Sequence, residues 1–376
     1  MTILPAADVG AAWRAALADH EVVPLDAAGC ACPSRAVLDA TVAHLRREAA
    51  VGGYAAEAEA AAPLARARAR LGDLVAVAAD AVALSANATV AFATLVAAWP
   101  LPPSARIAIF GGEYESNRLA LRALAARRGY ELVPLPADAD GRLCLEGLDR
   151  CLRDVDLVTF PVVASHRGTV QPAAEAVALA HRAGVPVLLD VAQAAGQVPL
   201  TGVGADGYVG TARKWLRGPR GTGWLAAGPA VAPALTPEAP SLAGAGGGVA
   251  GLATSESSVA ARVGLAVALD ELAAAGVDAV TGRVAALGAL ARARLDGIGG
   301  WRVQEPVEEP SGIVTLAHPR QDPVAVAVAL LGQGLATTAI PVARAPAALG
   351  APVLRVSLHA YCDADDLGRL EFSLRR

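Results

Sequence analysis

The sequence predicts an α/β fold built on a large, mostly parallel sheet, and the order of its apolar segments is the main reason. Between about residues 80 and 230, short apolar runs typical of buried strands alternate with longer helical segments. Strands that alternate with helices favour parallel pairing, right-handed crossovers and helices on both faces of the sheet. After about residue 250, two long helical segments precede several short strands, a pattern typical of a smaller α+β domain.

The first part of the chain supplies seven predicted strands. Residues 34–50 and 55–71 are predicted helices on either side of Gly52 and Gly53. Strands are favoured where apolar residues run together between turn residues, at 82–84, 106–110, 132–135, 157–163, 185–189, 208–210 and 223–226. Helices are favoured between these strands, at 87–99, 114–128, 145–152 and 172–183.

The remaining elements divide the chain into domains. Helices at 259–274 and 278–295 are followed by predicted strands at 301–303, 313–316, 336–338 and 354–358. These patterns predict a large domain over residues 21–250 and a small C-terminal domain over 251–376, with residues 1–20 packing against the small domain. Residues 229–251 are rich in alanine, glycine and proline, which favours a linker or mobile loop.

The bulk composition limits the classes of function. The net charge is −4, which gives no electrostatic reason to expect nucleic acid or an anionic membrane as a partner. No apolar stretch is long enough to cross a bilayer and the start of the sequence lacks the pattern of a secretory signal, so we expect a cytoplasmic protein. The cysteines are irregularly spaced, which favours reduced thiols and no metal site: Cys30, Cys32, Cys144, Cys151 and Cys362.

Lys214 is the only lysine among 32 basic residues. Arginine can replace lysine wherever a positive charge suffices, but a guanidinium stays protonated and forms no Schiff base. Lys214 follows a predicted strand, and Thr211 and Arg213 beside it can reach phosphate oxygens. The chance survival of one surface lysine is the alternative explanation, and the residues at the other strand ends decide between them.

Asp190 ends a continuous apolar strand, where a carboxylate is poorly solvated and needs a cationic partner. The protonated pyridine nitrogen of pyridoxal phosphate (PLP) would be such a partner, and the pair would keep the ring an electron sink. Gln193 lies one turn further and could donate to the ring's phenolic oxygen. The alternative is an aspartate that caps the following helix.

Two further strand ends carry candidate cofactor ligands. Ala86 and Asn87 precede an apolar helix, where free backbone N–H groups can hold a phosphate, although asparagine is also an ordinary N-cap. Tyr114 follows the strand at 106–110 and could stack on the pyridine face or act as an acid. The alternative for Tyr114 is a surface tyrosine at a helix start.

Other polar residues are candidates for the substrate. Ser165, His166 and Arg167 follow the strand at 157–163 and suit contacts to the cofactor's phenolic oxygen or to substrate. Arg355 is flanked by apolar strand residues and is costly there unless paired. A bidentate grip on an amino-acid carboxylate would satisfy it, and so would an internal aspartate or glutamate.

Together these segments resemble the fold type I PLP enzymes of the class V aminotransferase family, over about residues 25 to 370. The resemblance implies that Lys214 binds the cofactor covalently, that Asp190 pairs with the pyridine nitrogen and that Gln193 bonds the ring oxygen. It also places Thr211 and Arg213 at phosphate-contacting positions, Tyr114 at the stacking position and Arg355 at the substrate carboxylate. Family relatives are homodimers with active sites near the subunit interface.

Within this family the chain resembles the C–S lyases of ergothioneine biosynthesis. The motifs are EAAVGGY at 48–54, GEY at 112–114, ASHRGTVQP at 164–172, RKWLRGPRG at 213–221 and AARVG at 260–264. The resemblance implies β-elimination on hercynylcysteine sulfoxide to give ergothioneine, pyruvate and ammonia, with Lys214 and Tyr114 as catalytic residues. Arg167 and Arg220 are candidates for the distal carboxylate, and Tyr54 for the trimethylammonium group by cation–π contact.

Rival interpretations stay open. Desulfurases carry a mobile cysteine in the C-terminal domain, but residues 334–344 contain none and Cys362 lies beyond Arg355, which disfavours that class. Relatives have a phosphate-binding threonine before the long C-terminal helix, where this chain has SESS at 255–258. A selenocysteine lyase, a kynureninase-like hydrolase and a protein that only binds its ligand are further rivals. Binding alone would not require both Lys214 and Asp190.

Overall fold

The computed structural model describes residues 6–240, 247–254 and 256–376. Part of the predicted linker at 229–251, the start of the predicted N-terminal segment and Ser255 therefore lie outside the described residues. The strands are β1 (Val23–Pro24), β2 (Val82–Ser85), β3 (Arg106–Phe110), β4 (Glu131–Leu135), β5 (Leu157–Pro161), β6 (Val187–Asp190), β7 (Gly207–Thr211), β8 (Gly223–Ala227), β9 (Arg302–Val303), β10 (Ile313–Ala317), β11 (Leu335–Ala336), β12 (Thr338–Ile340) and β13 (Val353–Ser357).

Helices connect and cover these strands. They are α1 (Ala6–Ala15), α2 (Ala27–Cys30), α3 (Arg35–Val51), α4 (Gly53–Glu59), α5 (Ala61–Val75), α6 (Ala88–Ala98), α7 (Glu115–Arg128), α8 (Leu145–Cys151), α9 (Ala173–Arg182), α10 (Val259–Ala275), α11 (Val277–Leu295), α12 (Pro323–Gly332) and α13 (Ala364–Leu374). None of the described helices is long and apolar enough to cross a membrane.

A seven-stranded sheet forms the centre of the molecule, with the strand order β2-β8-β7-β6-β5-β3-β4. Strand β8 pairs antiparallel with both of its neighbours, and the other adjacent pairs are parallel. The predicted mostly parallel seven-stranded sheet is therefore confirmed. Because the parallel strands share one direction, Asp190 and Thr211 end at the same edge of the sheet.

A second, antiparallel sheet has the order β12-β13-β10-β9 and carries Arg355 on its β13 strand. The early strand β1 pairs in parallel with β11, so the chain near Val23 is tied to the C-terminal part near Leu335. Helix α1 contacts α11. Its Arg14 forms an ion pair with Asp366 at 2.6 Å.

Several boundaries differ from the predicted ones. The helix predicted at 55–71 is two helices, α4 and α5, which meet at Ala60; the alanine-rich sequence carries no periodicity that marks this break. The strand predicted at 336–338 is likewise split into β11 and β12. Helices α12 and α13 were not predicted, although Asp322 and Asp363 cap them with their side chains as helix-starting aspartates commonly do.

The core lies on both faces of the large sheet. One buried cluster contains Leu189, Trp215 and Trp224 and continues through Trp301 into the smaller sheet. A second cluster packs α6 and α7 against the other face, where Val209 is fully buried. Because both faces are covered, the central strands contain few polar side chains except where they end.

Candidate active site

A cavity of about 710 Å³ opens at the carboxyl edge of the large sheet, where it meets the smaller sheet. Pairing of Pro161 with Asp190, and of Asp190 with Val209, aligns the ends of β5, β6 and β7 beneath it. The cavity is lined by Asp26, Ala28, Gly29, Cys30, Ala86, Asn87, Ala88, Thr89, Val90, Tyr114, Pro161, Val163, Ser165, Asp190, Ala192, Gln193, Thr211, Arg213, Lys214, Arg220, Gly221, Thr338, Arg344 and Arg355.

Lys214 enters this cavity from the turn after β7. Burial lowers the pKa of its amine to about 7; Arg213 and Arg355 also lower it, while Asp190 opposes them. A substantial fraction of the amine is therefore neutral near pH 7, as attack on an aldehyde requires. The environment of Lys214 is that of a reactive amine rather than of a surface charge.

The turn that carries Lys214 is held by Arg217. The amide N–H of Arg217 donates to the Lys214 carbonyl at 3.0 Å, and Arg217 has a φ of 56°, a left-handed conformation that costs energy for a non-glycine residue. Its buried guanidinium lies 4.4 Å from the ring centre of Trp13 and donates from Nε to the Cys32 carbonyl at 3.2 Å. These contacts fix the backbone next to Lys214.

Asp190 belongs to a buried network with Asn117 and Glu113. The Asn117 side-chain amide donates to Asp190 Oδ2 at 2.8 Å and to Glu113 Oε1 at 2.9 Å, so it bridges the carboxyl groups. Asp190 Oδ1 accepts from the Ala192 amide at 2.8 Å. Burial raises the pKa of Asp190, which Lys214 counteracts, and burial together with the charge of Asp190 raises the pKa of Glu113.

Gln193 is held in the cavity wall by its own hydrogen bonds. Its Nε2 donates to the Ala28 carbonyl at 3.0 Å, and its Oε1 accepts from the indole N–H of Trp215 at 2.8 Å. The amide has a second N–H, which is the group available for a ring oxygen. Trp215 is fully buried and directly follows Lys214, so this hydrogen bond joins the β6 and β7 strand ends.

The start of α6 forms another wall. Asn87 Oδ1 accepts from the Val90 amide at 2.9 Å, so the side chain acts as an ordinary helix cap. Gly223 permits this position: a Cβ on Gly223 would lie 2.5 Å from the Asn87 Cα. Ala88 and Thr89 also line the cavity, so the helix start can hold an anion through backbone amides, with Asn87 occupied as the cap.

Arg355 is paired inside the protein and also lines the cavity. Its Nη2 donates to Asp26 Oδ1 at 2.9 Å and its Nη1 donates to the Ser165 carbonyl at 2.7 Å. Thr338 donates to the other Asp26 oxygen at 2.5 Å. The internal-pair and carboxylate-binding interpretations are therefore compatible, because a guanidinium with five N–H groups keeps donors free after these contacts.

Most of the predicted site residues meet in this cavity. Those that line it are Ala86, Asn87, Tyr114, Ser165, Asp190, Gln193, Thr211, Arg213, Lys214, Arg220 and Arg355. Ser165 contributes through its carbonyl to Arg355, and Thr211 donates its hydroxyl to the Thr222 carbonyl at 3.3 Å. Tyr114 is 37% exposed, so its ring is accessible from the cavity mouth.

Three predicted substrate residues lie elsewhere in the described chain. His166 is buried near Gly112, and burial lowers the pKa of its imidazole to about 4, so the ring is neutral near pH 7. Arg167 donates to the Gln304 carbonyl at 2.7 Å and does not line the cavity. Tyr54 is 92% exposed on α4 and likewise outside the cavity lining. None of these side chains reaches the cavity from within this chain.

Sequence reasoning missed other residues of the site. Asp26, Cys30, Thr338 and Arg344 come from segments without a strand-end motif, and only the folding of the early chain onto the smaller sheet brings them in. For Glu113 and Asn117, in contrast, the sequence contains a pattern that could have predicted their place in the site. They are four residues apart, as on one face of a helical turn, directly after the apolar strand β3.

The donor set fits PLP. The half-buried Lys214 and the buried carboxylate of Asp190 face one cavity, with the α6 start and Arg213 available for a phosphate. Gly223 leaves the space into which the α6 start fits, and a side chain there would displace it. A ring with an aldehyde, a basic nitrogen and a phosphate would satisfy all of these groups at once.

Comparisons with known proteins identify relatives of this chain. A relative from Mycobacterium tuberculosis (strain CDC 1551 / Oshkosh), described as a probable hercynylcysteine sulfoxide lyase, is 41% identical over 361 residues, covering 94% of this chain and 90% of the relative. The crystal structure of a cysteine desulfurase from Escherichia coli superposes with a TM-score of 0.88 at 21% identity, covering 99% of this chain and 98% of that one.

The cystine C–S lyase C-DES, solved with glycine covalently linked to its PLP cofactor, superposes with a TM-score of 0.84 at 20% identity, covering 94% of this chain and 96% of that one. At such identities these structures establish the fold, and the predicted fold type I architecture is confirmed. The profile of the class V aminotransferases matches residues 23–370. This chain therefore belongs to the class V aminotransferase family of PLP-dependent enzymes.

Proposed function

We propose that this enzyme is a C–S lyase that performs β-elimination on hercynylcysteine sulfoxide, giving pyruvate, ammonia and a sulfenic acid that a thiol reductant converts to ergothioneine. The carrying observation is the placement of Lys214 and Asp190 at neighbouring strand ends of one cavity, in a chain 41% identical to a probable lyase of that substrate. An amine with a pKa of about 7 beside a buried carboxylate suits proton transfer at the carbon next to an amino group.

Each residue of the cavity has its own role in the proposed reaction. When bound, PLP supplies an aldehyde that captures the substrate amine and a ring that withdraws electrons from the α-carbon. Asp190 keeps a proton on the ring nitrogen through its negative charge. Lys214, once neutral and free, takes the α-proton of the substrate. Arg355 holds the α-carboxylate through its remaining N–H donors, which orients the Cα–H bond toward Lys214.

The leaving group needs a proton donor and a binding region. Tyr114 lines the cavity and is the candidate acid at the departing sulfenate oxygen, with Lys214 as the other candidate after it has taken the α-proton. Arg220 lines the cavity mouth and suits the distal carboxylate of the substrate. Arg167 remains outside this cavity, which favours Arg220 among the predicted arginines.

Cysteine desulfuration is the rival activity, because the cysteine desulfurase from E. coli has the same fold as this chain. A desulfurase needs a mobile thiol to accept sulfur, but residues 334–344 carry no cysteine. Cys362 is fully buried and burial raises its pKa far above that of an ordinary thiol, so it is poorly suited to be a nucleophile. These observations favour elimination without a persulfide carrier.

The proposal includes a homodimer with active sites near the subunit interface. Support comes from apolar side chains left exposed on the early helices and near the cavity, among them Leu38, Leu45, Tyr54 and Val90. Tyr54 can contact the trimethylammonium group of the substrate only if the partner subunit brings it to the site. Sedimentation of the wild-type chain and of Tyr54→Ala tests the assembly, and a monomeric active enzyme would contradict this part.

Product analysis tests the activity. The PLP-loaded enzyme is incubated with hercynylcysteine sulfoxide and an excess of reducing thiol, and pyruvate and ergothioneine are measured. We expect both products in equal amounts from the wild type and neither from Lys214→Ala. Absence of pyruvate, together with alanine formed from L-cysteine, would contradict the lyase and support the desulfurase.

A further inference from the structure

A thiol lies inside the cavity. Cys30 lines it together with Lys214, Arg213 and Arg220, and its side chain is exposed. It ends the short helix α2, and neither the deprotonation at the α-carbon nor the binding of the cofactor uses it. A cysteine that shares the cavity with the reacting substrate is placed to meet a sulfur-containing product.

A second thiol follows two residues later. Cys32 is half-buried, and Ala31 between the cysteines has an extended backbone with φ −70° and ψ 153°. Two residues of chain span at most about 7 Å, which is near the Cα separation of a disulfide. The thiols interact electrostatically, since the charge of Cys30 raises the pKa of Cys32 after burial, the larger cause.

The segment that carries these thiols is attached to the lysine turn. The amide N–H of Ala31 donates to the Arg213 carbonyl at 2.9 Å, directly before Lys214 in the chain. The Cys32 carbonyl accepts from Arg217 Nε at 3.2 Å, and the Cys32 amide donates to the Tyr361 hydroxyl at 3.2 Å. The backbone that carries the thiols is therefore fixed relative to the turn of Lys214.

The proposed substrate creates a need for such thiols. Elimination from a cysteine S-oxide breaks the Cβ–S bond and releases a sulfenic acid, R–SOH, whereas the final product is R–SH. Conversion of one to the other consumes two electrons and two protons and releases water. The following inference thus rests on the proposed function.

We propose that Cys30 and Cys32 reduce the sulfenic acid within the same active site. The Cys30 sulfur attacks the sulfur of R–SOH, and the hydroxyl leaves as water with the proton of the thiol, which gives the mixed disulfide Cys30–S–S–R. Cys32 then attacks the Cys30 sulfur and R–SH departs with the proton of Cys32. Cys30 and Cys32 end as a disulfide, because they have given up the two electrons that R–SH has gained. An external low-molecular-weight dithiol then reduces this disulfide and restores both thiols.

The surroundings of Cys30 give this step a pH dependence. Burial raises the pKa of Cys30, while the positive charges of Arg213 and Arg220 lower it again. Asp26 also raises this pKa by its negative charge. Because the thiolate is the nucleophile, formation of the mixed disulfide accelerates as the pH rises from about 7 toward the thiol pKa.

A single-turnover experiment without external reductant tests the inference. Pre-reduced, PLP-loaded enzyme is mixed with less than one equivalent of hercynylcysteine sulfoxide, and pyruvate, ergothioneine and the masses of the cysteine-containing peptides are measured. For the wild type we expect close to one ergothioneine per pyruvate and a Cys30–Cys32 disulfide. For Cys32→Ser we expect the protein to carry the product on Cys30 as a mixed disulfide.

Matched variants separate this role from a structural one. Cys30→Ser should lower the ratio of ergothioneine to pyruvate several-fold, and added dithiol should restore that ratio. Cys151→Ser, at the half-buried end of helix α8 and outside the cavity lining, should behave as the wild type. The wild-type measurement requires no variant, so a variant that fails to fold leaves the test intact.

The outcomes distinguish the two proposals. Absence of pyruvate with every form of the enzyme would overturn the lyase function, and this inference with it. Pyruvate formed by a wild type whose Cys30 and Cys32 both stay reduced would overturn the inference alone. An unchanged product ratio in Cys30→Ser would do the same.

Discussion

Arg355 and Asp26 form an ion pair at the wall of the cavity, with 2.9 Å between Nη2 and Oδ1. The two residues are far apart in the sequence, and only the packing of the early chain onto β13 joins them. Arg355 is 2% exposed, so Asp26 compensates a charge that would be costly to bury alone. The pair holds the guanidinium at the cavity wall, where we propose that it binds the substrate carboxylate.

Replacement of Arg355 should therefore weaken substrate binding more than cofactor binding. We expect Arg355→Gln to lower kcat/KM about 100-fold, since loss of one partner of a buried charged pair costs about 3 kcal/mol. The visible absorbance of bound PLP should remain. Arg302→Gln on the exposed edge strand β9 is the control and should match the wild type. An Arg355→Gln enzyme with an unchanged KM would show that the substrate carboxylate binds elsewhere.

The pKa of Lys214 makes a prediction for the cofactor-free protein. With a pKa of about 7, the rate of PLP capture should rise about tenfold per pH unit below pH 7 and level off above it, because only the neutral amine attacks the aldehyde. The growth of visible absorbance after mixing measures this rate. Arg213→Gln should move the plateau to higher pH, since Arg213 lowers the pKa of Lys214.

The same shift affects stability. Between pH 7 and the ordinary lysine pKa of about 10.5, the unfolded chain binds a proton at Lys214 that the folded chain does not, so this group makes stability rise with pH in that window. Lys214→Met should remove this contribution from thermal unfolding curves of the cofactor-free protein. A capture rate that still rises above about pH 9 would contradict the lowered pKa.

The hydrogen bonds of Asn117 to Asp190 and Glu113 predict that Asn117→Ala lowers PLP affinity more than Glu113→Gln does. Asn117→Ala removes hydrogen bonds to two buried carboxyl groups, of which the bond to the charged Asp190 is worth about 1.5–3 kcal/mol and the bond to Glu113 about 1 kcal/mol. We expect lower PLP affinity and a lower Tm. Because burial and Asp190 raise the pKa of Glu113, the residue is neutral near pH 7, and Glu113→Gln should change PLP affinity less than about tenfold.

PLP titrations and melting curves of both variants check this order. If Glu113→Gln lowers the affinity for PLP as strongly as Asn117→Ala does, then Glu113 is charged in the native protein. Glu146→Gln, on helix α8 away from the network, is a suitable control for the loss of a carboxyl group. It should leave PLP affinity unchanged.

Local pattern was sufficient to predict the parts of the site that lie at strand ends. Asp190 and Lys214 each follow an apolar run, and parallel pairing forces such ends to one edge. Asp26, Arg344 and Cys30 carry no comparable local signal, because the pairing of β1 with β11 and the approach of the two sheets are long-range events. Arg167 followed a strand end as well, but its side chain turned to the Gln304 carbonyl.

The contact of Gly223 with Asn87 gives the last prediction. Gly223 begins the antiparallel strand β8 at the same edge where β2 ends, and a Cβ there would lie 2.5 Å from both the Cα and the carbonyl carbon of Asn87. Backbone atoms cannot yield as a flexible side chain can. Gly223→Ala should therefore move the start of α6, at a cost of about 1–3 kcal/mol in unfolding free energy.

Because the start of α6 is a candidate phosphate site, PLP affinity should fall together with stability in Gly223→Ala. Gly332→Ala is the matched control, since a Cβ on that helical glycine meets no atom within 4 Å and alanine favours helices. Urea unfolding and PLP titration of both variants measure the two effects. Reduced stability with unchanged PLP affinity in Gly223→Ala would mean that the phosphate is held by Arg213 and Thr211 instead, since the α6 start would then be dispensable for binding.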